Sequence, residues 1–331
     1  MRSAPWLAIA VAALGLGVGH SATGSGSDDP FAALRRPLHV PRIAAGARCP
    51  VSKAHTVSPA FGPGLGPGPV YPIGFDARGT LSFAYPPPPG SQFAGSGWGG
   101  QKVLWVGRRT YRGPILIRGR QLDGSNEVRF DLGGGAPLPE LAFRAGESRG
   151  TSRGAAGWRE FPSHTRLRAP GCYGYQIDGT SFSRVVVFRA TLPTPPAPLG
   201  GARCQPPSPL GTFGTRLPES RGTTTQGSLW ALFFPPTRTT WGPGPAIFHG
   251  ALGKDFKIVV RISGAGDLRI STESVDGQTL TPDWGPTAHS GSTWTRPGNE
   301  WGIGFTFPTA GCWRLHVARA GAAGDVWIVL R

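Results

Sequence analysis

The chain of 331 residues holds 52 Gly and 35 Pro, so about a quarter of its positions turn or break regular structure and a mostly helical protein is excluded. It is also 39 % hydrophobic with 11 Trp, too apolar to stay disordered throughout, which leaves a loop-rich all-β protein. Its 34 Lys+Arg outweigh 18 Asp+Glu to give +16, yet only four of the cations are lysines and the longest basic runs are Arg35-Arg36 and Arg108-Arg109. Arginine over lysine is the usage of GC-rich coding, and the sequence offers no recognition helix, so nucleic acid is not expected as a partner. The excess charge points to anionic surfaces such as membranes, wall polymers or acidic glycans.

In chain order, Met1–Gly19 reads as an export signal, with Arg2 at its start and the apolar run Trp6–Val18, shorter than the roughly 20 residues that span a bilayer. The signal segment is expected at 1–22, with an uncleaved N-terminal tether as the alternative, and no later run approaches spanning length. Residues 23–46 read as a flexible segment whose best helix candidate is Pro30–Arg36, a turn or two. The product is expected outside the cytoplasm, either secreted or tethered there. In that compartment Cys49, Cys172, Cys204 and Cys312 invite disulfides, in any of three connectivities by spacing alone.

Internal similarity narrows the choice. Gly46-Ala-Arg-Cys49 returns as Gly201-Ala-Arg-Cys204, Leu81–Tyr85 matches Leu229–Phe234 in type, and Val103–Val106 with Ile115–Arg118 matches Ala246–His249 with Ile258–Arg261 at one constant offset. Pro170–Ile177 corresponds to Ala310–Val317, and Arg184–Arg189 to Val326–Arg331. The Pro-rich stretch 191–200 reads as a semi-rigid linker. Two tandem domains are therefore expected, 47–190 and 201–331, each with one Cys near its start and one near its end. Because each must close on its own, the pairing is Cys49–Cys172 and Cys204–Cys312.

The first domain offers short apolar runs at Leu81–Tyr85, Lys102–Val106, Ile115–Arg118, Val128–Leu132, Leu141–Phe143, Thr165–Arg168, Cys172–Ile177 and Arg184–Arg189, the spacing of a sandwich or barrel. No stretch of about eleven residues or more keeps helical periodicity without Gly or Pro inside it. Alternation sends Tyr173, Tyr175 and Ile177, and likewise Trp313, Leu315 and Val317, to the core face, so Cys172 and Cys312 point away from it. Pro170-Gly-Cys-Tyr-Gly-Tyr-Gln-Ile177 followed by a closing strand at Val185–Phe188 resembles the ending of immunoglobulin-like β-sandwich domains, which implies two tandem sandwiches of that class. In antibody-type domains the cysteines face the core; here they alternate with polar residues, so the N-terminal segment is expected to be tied across an outer face or edge. As a whole the chain resembles exported proteins of GC-rich bacteria, a resemblance that implies no activity.

No Gly-x-Ser-x-Gly nucleophile elbow of strand, turn and helix is expected, and the sequence has no His-Glu-x-x-His, Cys-x-x-Cys or Walker loop. Gly62–Gly68 reads as a loop, and Asp123–Glu127 as a hairpin turn rather than a calcium loop. The histidines are scattered; His164 near Glu160, or His249, His289 and Asp283 together, make weak sites, and no metal, cofactor or catalytic residue is expected. The better lead is aromatic. Trp98, Trp158, Trp241, Trp284 and Trp294 fall between strands, where they cap the core or stack on a ligand, and the pairs Trp158-Arg159 and Trp294-Thr-Arg296 would suit acidic glycans. Residues 47–190 hold 18 basic against 8 acidic side chains, with Arg108, Arg109, Arg112, Arg118 and Arg120 around one hairpin as a candidate anion-binding face. The reading is a non-catalytic exported interaction or structural module of the cell envelope or extracellular space, its partner an anionic surface polymer, a glycan or another envelope protein. Carbohydrate binding through loop Trp residues is the alternative, and an enzyme whose site leaves no linear motif the third.

Overall fold

The computed structural model describes residues 29–58, 61–133, 136–150, 155–195, 204–214, 216–289 and 292–331; the expected signal segment and linker positions 196–200 lie outside them. Residues 54–191 form eleven strands: β1 Ala54–Thr56, β2 Pro63–Leu65, β3 Val70–Ile73, β4 Thr80–Ser82, β5 Gly99–Gly107, β6 Ile115–Gln121, β7 Arg129–Asp131, β8 Leu141–Phe143, β9 Arg159–Leu167, β10 Gly171–Gly179 and β11 Phe182–Thr191. Residues 209–330 add β12 Pro209–Phe213, β13 Leu217–Arg221, β14 Thr223–Gln226, β15 Leu229–Phe234, β16 Gly244–Pro245, β17 Ile247–Phe248, β18 Asp255–Ile262, β19 Ala265–Ser274, β20 Thr279–Leu280, β21 Trp284–His289, β22 Asn299–Thr306, β23 Gly311–Ala320 and β24 Ala322–Leu330. Pro30–Arg36 supplies only a 3₁₀ turn at Ala32–Leu34, and no helix of the described residues is long and apolar enough to cross a membrane.

The strands make two β-sandwiches. In the first, β1-β2-β3-β5-β9-β7 faces β4-β11-β10-β6-β8; in the second, β16-β12-β13-β15-β18-β22-β21 faces β14-β24-β23-β19-β20. Both place an antiparallel closing hairpin, β10–β11 or β23–β24, beside β6 or β19, with a short strand, β4 or β17, parallel to the last one. That order is immunoglobulin-like. The cores follow the expected alternation: Tyr173, Tyr175, Ile177, Trp313, Leu315 and Val317 are all fully buried. Trp105 meets Tyr175 edge-on at 5.0 Å, and the Tyr175 hydroxyl is satisfied by Thr165 Oγ1 at 2.7 Å, as a buried phenol requires.

Three of the internal matches fall on non-equivalent strands. Val103–Val106 lies in β5, whose counterpart is β18, whereas Ala246–His249 covers β17; Ile115–Arg118 lies in β6 but Ile258–Arg261 in β18; Leu81–Tyr85 begins in β4 but Leu229–Phe234 is β15. Short apolar runs carry a strand signal but no strand identity, so a constant offset between them arises without homology of position. The Gly62–Gly68 stretch, expected as a loop, holds β2, because Leu65 is fully buried and the backbone pairs with β1 and β3.

Both disulfides, Cys49–Cys172 and Cys204–Cys312, pair as expected. Cys172 leaves β10 on the outer face, where Leu38, Val40, Ile43 and Val51 cover it together with Leu122 and Val187. From Asp29 onward the segment expected to be flexible is thus laid across the first sandwich. Ile43 N donates to Leu122 O and Ser52 N to Val187 O, each at 2.9 Å, while Gln176 Nε2 donates to Pro37 O at 3.0 Å. Arg118 and Arg36 reach the fully buried Asp178 at 2.9 and 3.5 Å. Gly174 permits the close approach, since a Cβ there would stand 3.0 Å from Leu122 and 3.4 Å from Val40.

Candidate functional site

The two sandwiches meet through the outer faces of their larger sheets. Alternation in β5 buries Val103 and Trp105 and turns Lys102 and Leu104 outward; in β18 it buries Phe256, Ile258 and Val260 and turns Lys257 and Val259 outward. Register places Pro162 beside Leu104, Phe234 beside Lys257 and Leu232 beside Val259. The strand β21 joins the halves. Gln101, at the end of β5, donates from Nε2 to Thr287 Oγ1 and accepts from Gly285 N at 2.8 Å, and Ala84 N donates to Asp283 O at 3.4 Å.

Between these faces lies a cavity of about 470 Å³, lined by Ile73, Leu104, Pro162, Leu232, Phe234, Val259, Trp284 and Trp294 together with Lys102, Lys257, Glu160 and Glu300. It falls in the range of small-ligand pockets, roughly 300–1,000 Å³, and has their composition, apolar with a few polar groups. Trp284 lies flat along β22 because Gly304 has no side chain: a Cβ there would stand 1.8 Å from the indole nitrogen. Trp294 is fixed by its Nε1, which donates to Glu219 Oε2 at 2.8 Å.

The two lysines are the unusual feature. Lys257 Nζ sits 4.5 Å over the Phe234 ring. Among the described residues neither lysine donates a hydrogen bond or lies within 4.0 Å of a carboxylate. Burial, and next the charge of Lys257, push the Lys102 ammonium down to about 8, against a partial offset from Glu300. Burial lowers Lys257 as well, with Glu300 and Asp255 opposing. The acids are engaged: Ser292 Oγ donates to Glu300 Oε2 at 2.6 Å, Arg261 Nε stands 3.7 Å away, and Glu160 too has its own partner.

Beside the cleft, buried Asp283 accepts from Thr306 Oγ1 at 2.7 Å. Burial pushes its carboxyl up to about 7, with the charge of Asp255 adding to the shift. From about pH 4 to 7 the folded chain holds a proton there that the unfolded chain has lost, so stability falls as pH rises through this window. Asp283→Asn should remove that slope and raise stability at pH 8 by about 2 kcal/mol. Thermal unfolding of both proteins at pH 5 and pH 8 checks this; a parallel pH dependence would contradict it.

Of the residues expected from sequence, the structure brings Trp284 and Trp294 to the cleft and leaves the rest apart. Trp98 is buried under Arg168, 4.0 Å from its ring, and Arg129, at 5.7 Å. Trp158 is half-buried edge-on to Phe61 at 5.7 Å, and Trp241 packs against the second core. The glycan platforms are not formed. Arg159 is fully buried, and Arg296 is paired with Glu219 and stacked 4.7 Å over Trp230. His164 bonds Asp131 at 2.7 Å rather than Glu160, and the described residues contain no group of three or more His, Cys, Asp or Glu placed to hold a metal ion. Arg108, Arg109 and Arg112 are exposed on the β5–β6 turn, where Arg108 Nε donates to the Tyr71 hydroxyl at 2.7 Å. Lys102 and Lys257 went unnoticed. The available signal was the outward Leu104 and Val259 two residues further along the same strands, which mark an outer face that something covers.

No protein-family model and no curated protein matches the chain. Among solved structures it is similar to a tandem immunoglobulin pair of titin, at 10 % identity over 76 % of this chain and 90 % of that one, with a TM-score of 0.19. An I-band fragment of titin matches at 9 % identity over 80 % of this chain and 100 % of its own, with a TM-score of 0.18. The immunoglobulin-like assignment stands on the strand pairing.

Proposed function

We propose that the protein is a non-catalytic binding module of the extracytoplasmic space whose ligand site is the cleft between its two sandwiches. The observation that carries this is an apolar cavity of about 470 Å³, built where the two sandwiches meet and lined by two ammonium groups that make no hydrogen bond or ion pair among the described residues. Two disulfides fit an oxidising compartment. In the cleft Ser292 Oγ is hydrogen-bonded to Glu300, but that carboxylate also faces Arg261 at 3.7 Å and no histidine lines the described cavity, which favours binding over activation of a nucleophile. With the loop tryptophans stacked or buried, an exposed sugar platform loses its support.

The neutral dye N-phenyl-1-naphthylamine should brighten on the native protein and fail to do so on Leu104→Trp or Val259→Trp, which fill the cavity. Equal brightening of all three would place the binding elsewhere. The exposed Arg108, Arg109 and Arg112 suit contact with an anionic envelope polymer. On this reading Arg108→Ser with Arg109→Ser should weaken retention on anionic vesicles several-fold at low salt, and unchanged retention would exclude that role.

A further inference from the structure

We infer that the cleft selects apolar acids: a single anionic head held between Lys102 and Lys257, with its hydrocarbon or aromatic body along Leu104, Leu232, Phe234 and Trp284. The inference rests on the cleft being the ligand site and adds the chemistry of the ligand. A burial-depressed ammonium without a hydrogen-bonded partner is destabilising, and each of these lysines is half-buried among apolar side chains. Lys102 and Lys257 line the same cavity, and the charge of Lys257 adds to the lowering of Lys102, so an anion in the cleft is attracted by both. The nearby carboxylates do not fill this role, because Glu160 and Glu300 are engaged by other groups. A cation is repelled here, and a neutral ligand leaves both charges uncompensated. An anion relieves the mutual repulsion and gains charge-assisted hydrogen bonds in a low-dielectric setting. The apolar walls exclude a bare inorganic ion as the best fit, since they would stay unoccupied.

The test is calorimetric titration of the full chain with octanoate, octyl phosphate and octanamide, repeated on the double variant Lys102→Met with Lys257→Met. Wild type should bind at least one of the two anions about tenfold or more tighter than the amide. The ratio between the anions distinguishes a carboxylate from a phosphate-ester source. The double variant should lose that preference while keeping the dye and amide binding that report an intact cleft. It should also melt higher than wild type, since two desolvated charges are gone. Anion affinity should fall as pH rises past about 8, where Lys102 sheds its proton. If acid and amide bind alike, or the preference survives in the double variant, the acid inference is overturned while the cleft reading stands. If neither the dye nor any octyl ligand binds, both fall together.

Discussion

Replacing Arg159 with Met should cost the first sandwich about 3–5 kcal/mol. The side chain enters the interior from the start of β9 with no exposed surface. Its Nε donates to Glu147 O at 2.9 Å, and its two terminal nitrogens donate to Gly113 O and Arg144 O, each at 2.7 Å. One guanidinium thus fastens the turn before β6 to the loop after β8 while standing 5.1 Å over the Phe161 ring. Among the described residues no carboxylate forms an ion pair with it, and burial lowers its proton affinity, with Arg112 adding to the effect and Tyr111 and Glu147 opposing it. Truncation takes a charged donor from three part-buried carbonyls, of which Arg144 O keeps the Glu147 N–H at 3.2 Å. Lysine is no rescue, because one ammonium on a flexible stem cannot reproduce the planar fork. Denaturant unfolding should therefore show Arg159→Met and Arg159→Lys both strongly destabilised, and a loss below about 1 kcal/mol in either would contradict this assignment.

Opening the first disulfide with Cys49→Ser and Cys172→Ser should have an effect of similar size and wider reach. The bridge closes a separation of 123 residues, worth about 4–5 kcal/mol in the loop-entropy model. It also pins the strap of residues 36–52, whose Leu38, Val40 and Ile43 cover β10, β11 and Leu122. Release of the strap exposes that apolar surface and takes Arg36 from Asp178. The second bridge spans 108 residues, nearly the same loop, but Cys204 is exposed and among the described residues has no comparable cover. Hence the first pair of substitutions should destabilise more than Cys204→Ser with Cys312→Ser. It should also abolish amide-exchange protection at Ile43 and Ser52. Equal losses with Ile43 still protected would show that the strap holds without its bridge.

The closing hairpins, the faces of Tyr173 and Trp313 and the disulfide pairing were legible because each rests on a local pattern: strict alternation, a turn between two apolar runs, one Cys at each end of a domain. What failed rests on partners distant in sequence. Pro72 breaks the appearance of a strand in Val70–Ile73, and Pro162 hides the first half of β9, yet both strands are held by β5. Arg159 reads as a surface charge until three carbonyls from two other loops surround it. The strap at 36–43 looks free because its apolar residues are few and match a sheet face more than a hundred positions away. The cleft is legible least of all, since neither sandwich encodes it alone: Lys102 and Lys257 acquire meaning only when two outer faces meet.

With only four lysines in the chain, reductive ¹³C-methylation reports on the cleft site by site while preserving each positive charge. Spectra of the labelled protein titrated with octanoate should show Lys102 and Lys257 moving together to saturation. The exposed Lys53 and Lys254 should stay in place, and the unliganded Lys102 signal should titrate near pH 8. Four signals that move alike, or Lys102 and Lys257 unmoved while octanoate binds, would contradict the assignment of the interdomain cleft as the ligand site.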